Sequence, residues 1–336
     1  MLKKLWLLSF LLVGLSPMAM AQTFKIATLS PDGSFWVEEM KKGTDAITKR
    51  TDGRVKFKLY AGGVMGSDDA VLRKIRIGQL HGGAITTGSV SGAYGDAAVY
   101  GMPFKFESFE EVDYVRARMD KMILDGIEAG GLVPFGLAEG GFAYVMSKEP
   151  ISSVDNLKKA KVWAPSNDNL SIETLKALGV TPVTLGLGDV LTSLQTGIVD
   201  TVATSPVGAL ALQWHTGVSY ITELPVVYFS AQLVISDKAF QKAKPQDQKI
   251  IREELTKVFD HIDKKNRIDN VAAMAALKGQ GIKVITPTAE ELVDWYKIRD
   301  IALDVNNKNK MFSPAALKML DEHLKTYRTQ HAMSGQ

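Results

Sequence analysis

The 336-residue chain contains no cysteine. This absence excludes disulfide bonds, a thiolate nucleophile and any metal site built from cysteine ligands. The chain also has little excess of either charge, because its formal net charge is +3. A near-neutral balance provides no basic surface of the kind that binds nucleic acid or an anionic membrane, so we expect no nucleic-acid partner.

Sequence motifs of common enzymes are missing as well. No H-E-x-x-H zinc motif occurs, and the five histidines are scattered along the chain. The run Gly88–Gly92 has valine where a G-x-S-x-G hydrolase motif needs serine. The run Gly186–Leu191 lacks the third glycine of a dinucleotide-binding fingerprint. We therefore expect no bound metal and no cofactor, and we predict that the protein is not an enzyme.

The N-terminal segment has the features of a secretion signal. Lys3 and Lys4 precede an apolar run over residues 5–15, and Ala19-Met20-Ala21 is a small-x-small cleavage site. The apolar run is too short to span a membrane comfortably. We expect residues 1–21 to be a signal peptide that is cleaved after Ala21, leaving a free periplasmic protein because no cysteine is present to carry a lipid.

Residues 156–206 alternate short apolar runs with segments of helical length. The pattern predicts strands at Lys161–Ala164, Pro182–Leu185 and Val199–Ala203, and helices at Asp168–Leu178 and Gly188–Thr196. Strands that alternate with helices imply crossover connections and a largely parallel sheet. Polar or small residues follow each strand, and ligands of open α/β sheets bind at such strand ends.

Several runs in the chain form a recognisable set: NLKKAKVWAP at 156–165, ALGVTPV at 177–183, LQTGIVD at 194–200, GGVMG at 62–66 and MPFKF at 102–106. Together they resemble the substrate-binding proteins of TRAP transporters, the DctP-type periplasmic solute receptors. The resemblance spans most of the chain. It implies a receptor that captures a small molecule and delivers it to the membrane-embedded permease subunits of a sodium-driven transporter.

The resemblance also implies an α/β fold with two lobes, crossover strands between them and a long helix spanning both. The apolar segments Phe142–Ser147 and Val226–Ile235 suit the crossovers, and Pro245–Gln280 predicts the long helix because no proline interrupts it. Lobe I is expected to comprise residues 22–140 and 228–262. Lobe II is expected to comprise residues 141–227 and 263–336.

The family pattern implies a set of ligand-facing positions, namely Asp68, Thr86, Thr87, Trp163, Leu187, Ser205 and Gln232. Ordinary structural roles are the alternative for some of them. The threonines could make strand-end hydrogen bonds, and a carboxylate at position 68 could complement a helix dipole. Trp36 and Trp214 are further candidates for the wall of the cleft, with core packing as the alternative.

Trp163 is a departure from the family pattern, which usually has a carboxylate-binding arginine at this position. Ala143 stands where some sialic-acid receptors carry a second arginine. A tryptophan facing the cleft would offer an apolar face and one N–H donor, but no charge. We therefore predict a ligand that bears a carboxylate but is comparatively apolar, rather than a dicarboxylate. Backbone N–H groups at a helix start, or Arg73, Lys74 or Arg76, could hold one carboxylate.

Two other functions remain open at this point. The chain could be a receptor of an ABC transporter or a sensor-linked binding protein, which a neighbouring permease gene would distinguish. It could also be a periplasmic enzyme, which turnover of the bound molecule would establish.

Overall fold

The computed structural model describes residues 21–166 and 168–334. Apart from Ala21, the predicted signal peptide lies outside these residues. The strands are β1 (Gln22–Thr28), β2 (Val55–Tyr60), β3 (Gly82–Thr86), β4 (Leu132–Pro134), β5 (Ala138–Ser147), β6 (Trp163–Pro165), β7 (Val183–Leu185), β8 (Thr201–Thr204), β9 (Tyr220–Ser236) and β10 (Lys283–Ile285). The helices are α1 (Phe35–Arg50), α2 (Asp68–Arg76), α3 (Phe109–Ala129), α4 (Val154–Leu157), α5 (Asn169–Ala177), α6 (Val190–Thr196), α7 (Pro206–Ala211), α8 (Asp237–Phe240), α9 (Pro245–Gly279), α10 (Ala289–Asn309) and α11 (Pro314–Ser334).

Most of the strands form one mixed sheet in the order β2-β1-β3-β9-β5-β8, with β4 and β10 paired to β9. Strand β1 is parallel to β2 and β3, whereas β9 is antiparallel to β3, β4 and β5. Strands β6 and β7 form a separate parallel pair. Within residues 156–206, the parallel prediction is therefore confirmed for β6 and β7, and one parallel bridge from Val162 to Thr201 links this pair to β8. The large sheet is mixed because β5 and β9 run back through it.

Strand β9 is the main crossover of the fold. Its 17 residues extend over about 55 Å at the usual rise of a strand. Its C-terminal part pairs with β3 at Ala231–Ile235, and its N-terminal part pairs with β5 and β10. The predicted crossover strands are confirmed, and both are longer than the sequence pattern indicated.

Helix α9 reaches both ends of the sheet. It has 35 residues and a length of about 52 Å. Near its start Ile251, Leu255 and Phe259 pack in the core that also contains Phe24. Near its end Leu277 packs in a different core, together with two tryptophans. The predicted helix spanning the two lobes is thus confirmed, and Pro245 occupies its first turn, where proline is tolerated.

The C-terminal helix α11 packs against α3. Leu320 and Leu324 share a core with Val115 of α3, and the Arg328 guanidinium lies 2.6 Å from the Glu111 carboxylate. The division of the chain into lobes stays a prediction. This packing favours counting residues 314–334 with the first lobe rather than the second.

The short elements around the site begin with polar caps. Ser67 is the N-cap of α2, and its side chain accepts a hydrogen bond from the Ala70 backbone N–H. Residues 87–92 and 95–101 form 3-10 helical turns that periodicity did not predict.

In the described ranges, no helix combines the length and the apolar character needed to cross a membrane.

Candidate functional site

A cavity of about 320 Å³ lies where the large sheet meets the β6–β7 pair. Its walls include the end of β3, parts of β5, β8 and β9, the strand β6 and the first turns of α2 and α5. A volume of this size suits a small organic molecule. The cavity is therefore the candidate binding site, at the strand ends where the sequence predicted one.

The cavity brings together six of the nine predicted site residues, namely Asp68, Thr86, Thr87, Trp163, Leu187 and Trp214. Trp36, Ser205 and Gln232 are not among the residues that line it. Trp36 donates from its indole N–H to Asn266 at 3.1 Å and packs edge-on against Phe259, so it joins α1 to α9. Ser205 caps α7 by accepting a hydrogen bond from the Gly208 N–H. Ligand contact by any of the nine stays a prediction.

Trp163 is fixed between the cavity and the core. Its indole N–H donates to the Leu185 carbonyl oxygen at 3.1 Å, and its ring meets that of Trp214 edge-to-face with centroids 5.0 Å apart. Only 6% of Trp163 is exposed. The sequence analysis considered the indole N–H as a donor to a ligand, but this N–H is already hydrogen-bonded within the protein. Trp163 therefore presents apolar ring surface to the cavity.

Asp68 is the centre of a buried hydrogen-bond network. Its Oδ2 atom accepts from the Thr86 N–H at 3.0 Å, and from the hydroxyls of Thr86 and Ser89 at 2.9 Å each. Burial raises the pKa of the Asp68 carboxyl, an effect that the three hydrogen bonds oppose. The network ties the first turn of α2 to the end of β3.

Thr87 makes a second link across the site. Its hydroxyl lies 2.8 Å from the Ser230 hydroxyl of β9, and either oxygen can donate. Together with the Asp68 network, this contact shows that both threonines make strand-end hydrogen bonds while lining the cavity. The strand-end hydrogen bonds that the sequence presented as the alternative are therefore present, and contact of the threonines with a ligand stays a prediction.

The side chains lining the cavity carry charge of one sign. Asp68, Asp69 and Asp168 line it, and none of the described lining residues is lysine, arginine or histidine. In particular, Arg73, Lys74 and Arg76, which the sequence suggested as carboxylate partners, do not line the cavity. Lys74 donates instead to the Met65 carbonyl oxygen at 2.8 Å.

Sequence reasoning missed several lining residues. Asp168 belongs to the polar loop after β6, so its position carried a signal. Phe104 lies in the MPFKF motif and Phe229 in a predicted crossover strand, but neither was assigned to the site. Trp295 and Phe312 carried no signal, because they come from segments far away in the chain. Phe104 has a φ of +52°, a left-handed conformation that is unusual for a bulky residue. Its N–H donates to the Val226 carbonyl of the crossover strand at 2.9 Å.

Comparison with known proteins identifies the family to which this chain belongs. A family model described as "Bacterial extracellular solute-binding protein, family 7" (DctP) matches residues 26–306. The chain belongs to this family, as its sequence motifs predicted. It is accordingly a solute-binding receptor and not an enzyme.

Individual relatives are distant. The chain is 25% identical to the uncharacterised protein YiiZ of Salmonella typhimurium, over 61% of this chain and 63% of that protein, so it spans somewhat less than two thirds of the length of YiiZ. It is 24% identical to the C4-dicarboxylate-binding periplasmic protein DctP of Rhodobacter capsulatus, over 76% of this chain and 78% of that one. A TRAP periplasmic solute-binding protein of Xanthobacter autotrophicus, solved with bound β-D-galacturonate, superposes with a TM-score of 0.81 and 17% identity, covering 90% of this chain and 99% of that one. That likeness shows the two-lobe fold.

Gln232 provides a test of how this region is stabilised. The side chain is fully buried, and neither its Nε2 nor its Oε1 atom has a hydrogen-bond partner among the described residues. Burying an unpaired amide is unfavourable. We expect Gln232→Met to raise the free energy of unfolding by about 1–2 kcal/mol, measured by urea denaturation.

Gln79→Met is the matched control, because Gln79 is exposed, and its effect should stay within about 0.5 kcal/mol. Lower stability of Gln232→Met would contradict the prediction and would show that the amide is satisfied in solution. If Gln232 also contacts the ligand, the variant should be more stable and bind more weakly.

Proposed function

We propose that this protein is the periplasmic receptor of a TRAP-type transporter. It binds a small organic solute in the 320 Å³ cavity and presents it to membrane-embedded permease subunits for sodium-coupled uptake. The observation that carries the proposal is the cavity itself, which lies beside both crossover strands in a chain of the extracellular solute-binding family.

The cavity supports a ligand with a large apolar surface. Trp163 and Trp214 form one wall, and Phe104, Phe229 and Trp295 add further ring surface. A small dianion entering this space would lose its water without meeting a cationic side chain to replace it. The proposed ligand therefore differs from the C4-dicarboxylate named for the Rhodobacter relative.

The crossover strands are suited to act as a hinge. The register between β5 and β9 shifts between Glu139 and Gly141. Gly141 has a φ of +96°, and a Cβ atom there would lie 2.6 Å from the Asn270 amide nitrogen. Only glycine fits this bend. We propose that the lobes close about it when a ligand makes contacts that the open state lacks.

Native mass spectrometry of protein purified from the periplasm tests the proposal. We expect a polypeptide mass that begins at Gln22, as predicted from cleavage after Ala21, with one organic molecule bound per chain. The molecule should be released chemically unchanged. A polypeptide that retains Met1, or conversion of the bound molecule into a product, would contradict the proposal.

Succinate provides a further test of ligand character. We expect calorimetric titration of the wild-type protein with succinate to show no detectable binding, because no described lining residue replaces the missing arginine clamp. Titration with the molecule identified by mass spectrometry is the positive control. Tight succinate binding would contradict the apolar-ligand proposal while leaving the receptor function intact.

A further inference from the structure

The charged side chains that line the cavity are all acidic, which affects the charge of the ligand that it can bind. Three carboxylates line it, those of Asp68, Asp69 and Asp168, and no described lining residue is basic. None of the three forms an ion pair with any residue in the described ranges, whereas ion pairs are frequent over the rest of the surface. The cavity therefore contains carboxyl groups that no cationic side chain of the described residues pairs with.

The helix starts at the cavity do not offer an anion site in compensation. Helix α2 carries Asp68 and Asp69 in its first turn. Helix α5 is capped by Asp168, whose carboxylate accepts from the Ser171 N–H at 3.0 Å and from the Ser171 hydroxyl at 2.5 Å. A helix N-terminus contributes a positive charge of about one half. An acidic side chain therefore already stands at each of these two helix starts.

The electrostatics at α2 favour an incoming positive charge. Burial and, to a smaller extent, the neighbouring charge of Asp69 raise the pKa of the Asp68 carboxyl. Both effects disfavour the ionised carboxylate, and a cation bound nearby would relieve them. An anion would add to the repulsion.

The apolar part of the cavity is also compatible with a cation. Aromatic rings present negative faces to bound ammonium groups, and tryptophan does so most strongly. Trp163, which is 6% exposed, lines the cavity, and Trp214 and Trp295, each 1% exposed, lie at its boundary with the core. Because the Trp163 N–H is held by the Leu185 carbonyl, the indole is oriented by the protein and not by the ligand.

We propose that the ligand is an organic cation, with an ammonium group recognised by the carboxylates of the cavity and an apolar body packed against its tryptophans. The inference rests on the proposed receptor function and specifies the ligand class of the same site. It departs from the acids named for the relatives, because the carboxylates of this cavity face no basic side chain.

Matched sets of compounds test the inference. Phenethylamine, phenethyl alcohol and hydrocinnamate share one apolar body and differ in charge, as do tryptamine, tryptophol and indolepropionate. We expect each amine to bind about tenfold more tightly than its alcohol, the difference between a charge-assisted and a neutral hydrogen bond. The acids should not bind. Isothermal titration calorimetry of the full mature chain provides the affinities.

The possible results separate the inference from the proposed function. An acid that binds as tightly as its amine, or an alcohol that equals it, would overturn the cationic assignment and leave the receptor function standing. Failure of every compound to bind would overturn the inference. The receptor function would still be decided separately, by the mass of the molecule that co-purifies with the protein.

The variant Asp69→Asn tests whether the Asp69 carboxylate binds the ammonium group of the ligand. Asp68→Asn is a weaker choice, because that carboxylate accepts three hydrogen bonds and its loss threatens the fold. We expect Asp69→Asn to weaken binding of the amines about fivefold and to leave binding of the alcohols unchanged. Asp45→Asn, at an exposed position of α1 away from the cavity, should change neither. An equal loss for amines and alcohols would overturn a charge-based role for Asp69.

Discussion

Replacing Trp163 by alanine is expected to lower the free energy of unfolding by about 3–5 kcal/mol. The side chain is 6% exposed and packs with Trp214 and Leu277 in one core. Its removal leaves a cavity at the β6–β7 pair and deprives the Leu185 carbonyl of a donor. Urea denaturation monitored by circular dichroism, followed by linear extrapolation, measures the loss.

Trp163→Phe is the matched control. It keeps an aromatic ring in the core but removes the indole hydrogen bond and part of the ring packing, so we expect a smaller loss of about 1–2 kcal/mol. The alanine variant should also bind the co-purified ligand at least about fivefold more weakly. A stability loss with unchanged affinity would show that Trp163 only packs in the core and makes no contact with the ligand.

Replacing Arg267 by alanine is expected to destabilise the protein by about 3–5 kcal/mol, the usual effect of breaking a buried ion pair. The Arg267 guanidinium lies 2.5 Å from the carboxylate of Glu139, which is 1% exposed. The Glu139 backbone is held as well, since its N–H donates to Asp263 and its carbonyl accepts from Asn266. The variant would leave this carboxylate buried without its cation at the bend of β5.

The stability loss caused by Arg267→Ala should depend on pH, because it changes the pKa of Glu139. Burial raises the pKa of Glu139, and Arg267 lowers it, so removing Arg267 should raise it further. A raised folded-state pKa means that the stability contribution is present below the ordinary value of 4.5 and lost as the pH rises through the folded-state value. The loss in Arg267→Ala should therefore be small in acid and grow towards neutral pH.

Two further variants separate this effect from general loss of packing. Adding Glu139→Gln to Arg267→Ala removes the unpaired charge and should recover much of the stability at neutral pH. Arg299→Ala breaks an exposed pair in which Arg299 lies 3.7 Å from Asp300, and should cost less than about 1 kcal/mol. A pH-independent loss in Arg267→Ala would contradict an electrostatic role for the pair.

Local patterns predicted most of the elements correctly. Helix α9 differs from its predicted bounds by one residue at its C-terminal end, and α5 differs by one residue at each end. Periodicity and caps are properties of neighbouring residues, so they are readable without tertiary contacts. The short strands β6 and β8 begin two residues later than predicted, because apolar runs do not show where pairing starts.

The candidate site was predicted less completely. Family motifs pointed to Asp68, Thr86 and Trp163, and all three line the cavity. The same motifs suggested Ser205, which caps α7, and Gln232, which lies in the interior without lining the cavity. Motif alignment places a residue at a strand end, but the direction of its side chain depends on the local register and packing.

By itself the sequence determined the α/β class, the family, the crossover strands and the long helix, because these follow from local hydrophobic patterns and motifs. Only the tertiary structure decided that Leu185 holds the Trp163 N–H, that α11 packs on α3, and that the cavity has three carboxylates and no basic side chain among its described lining residues. Such facts depend on which distant segments meet. Thr87 and Ser230, hydrogen-bonded across the site, are 143 residues apart in the chain.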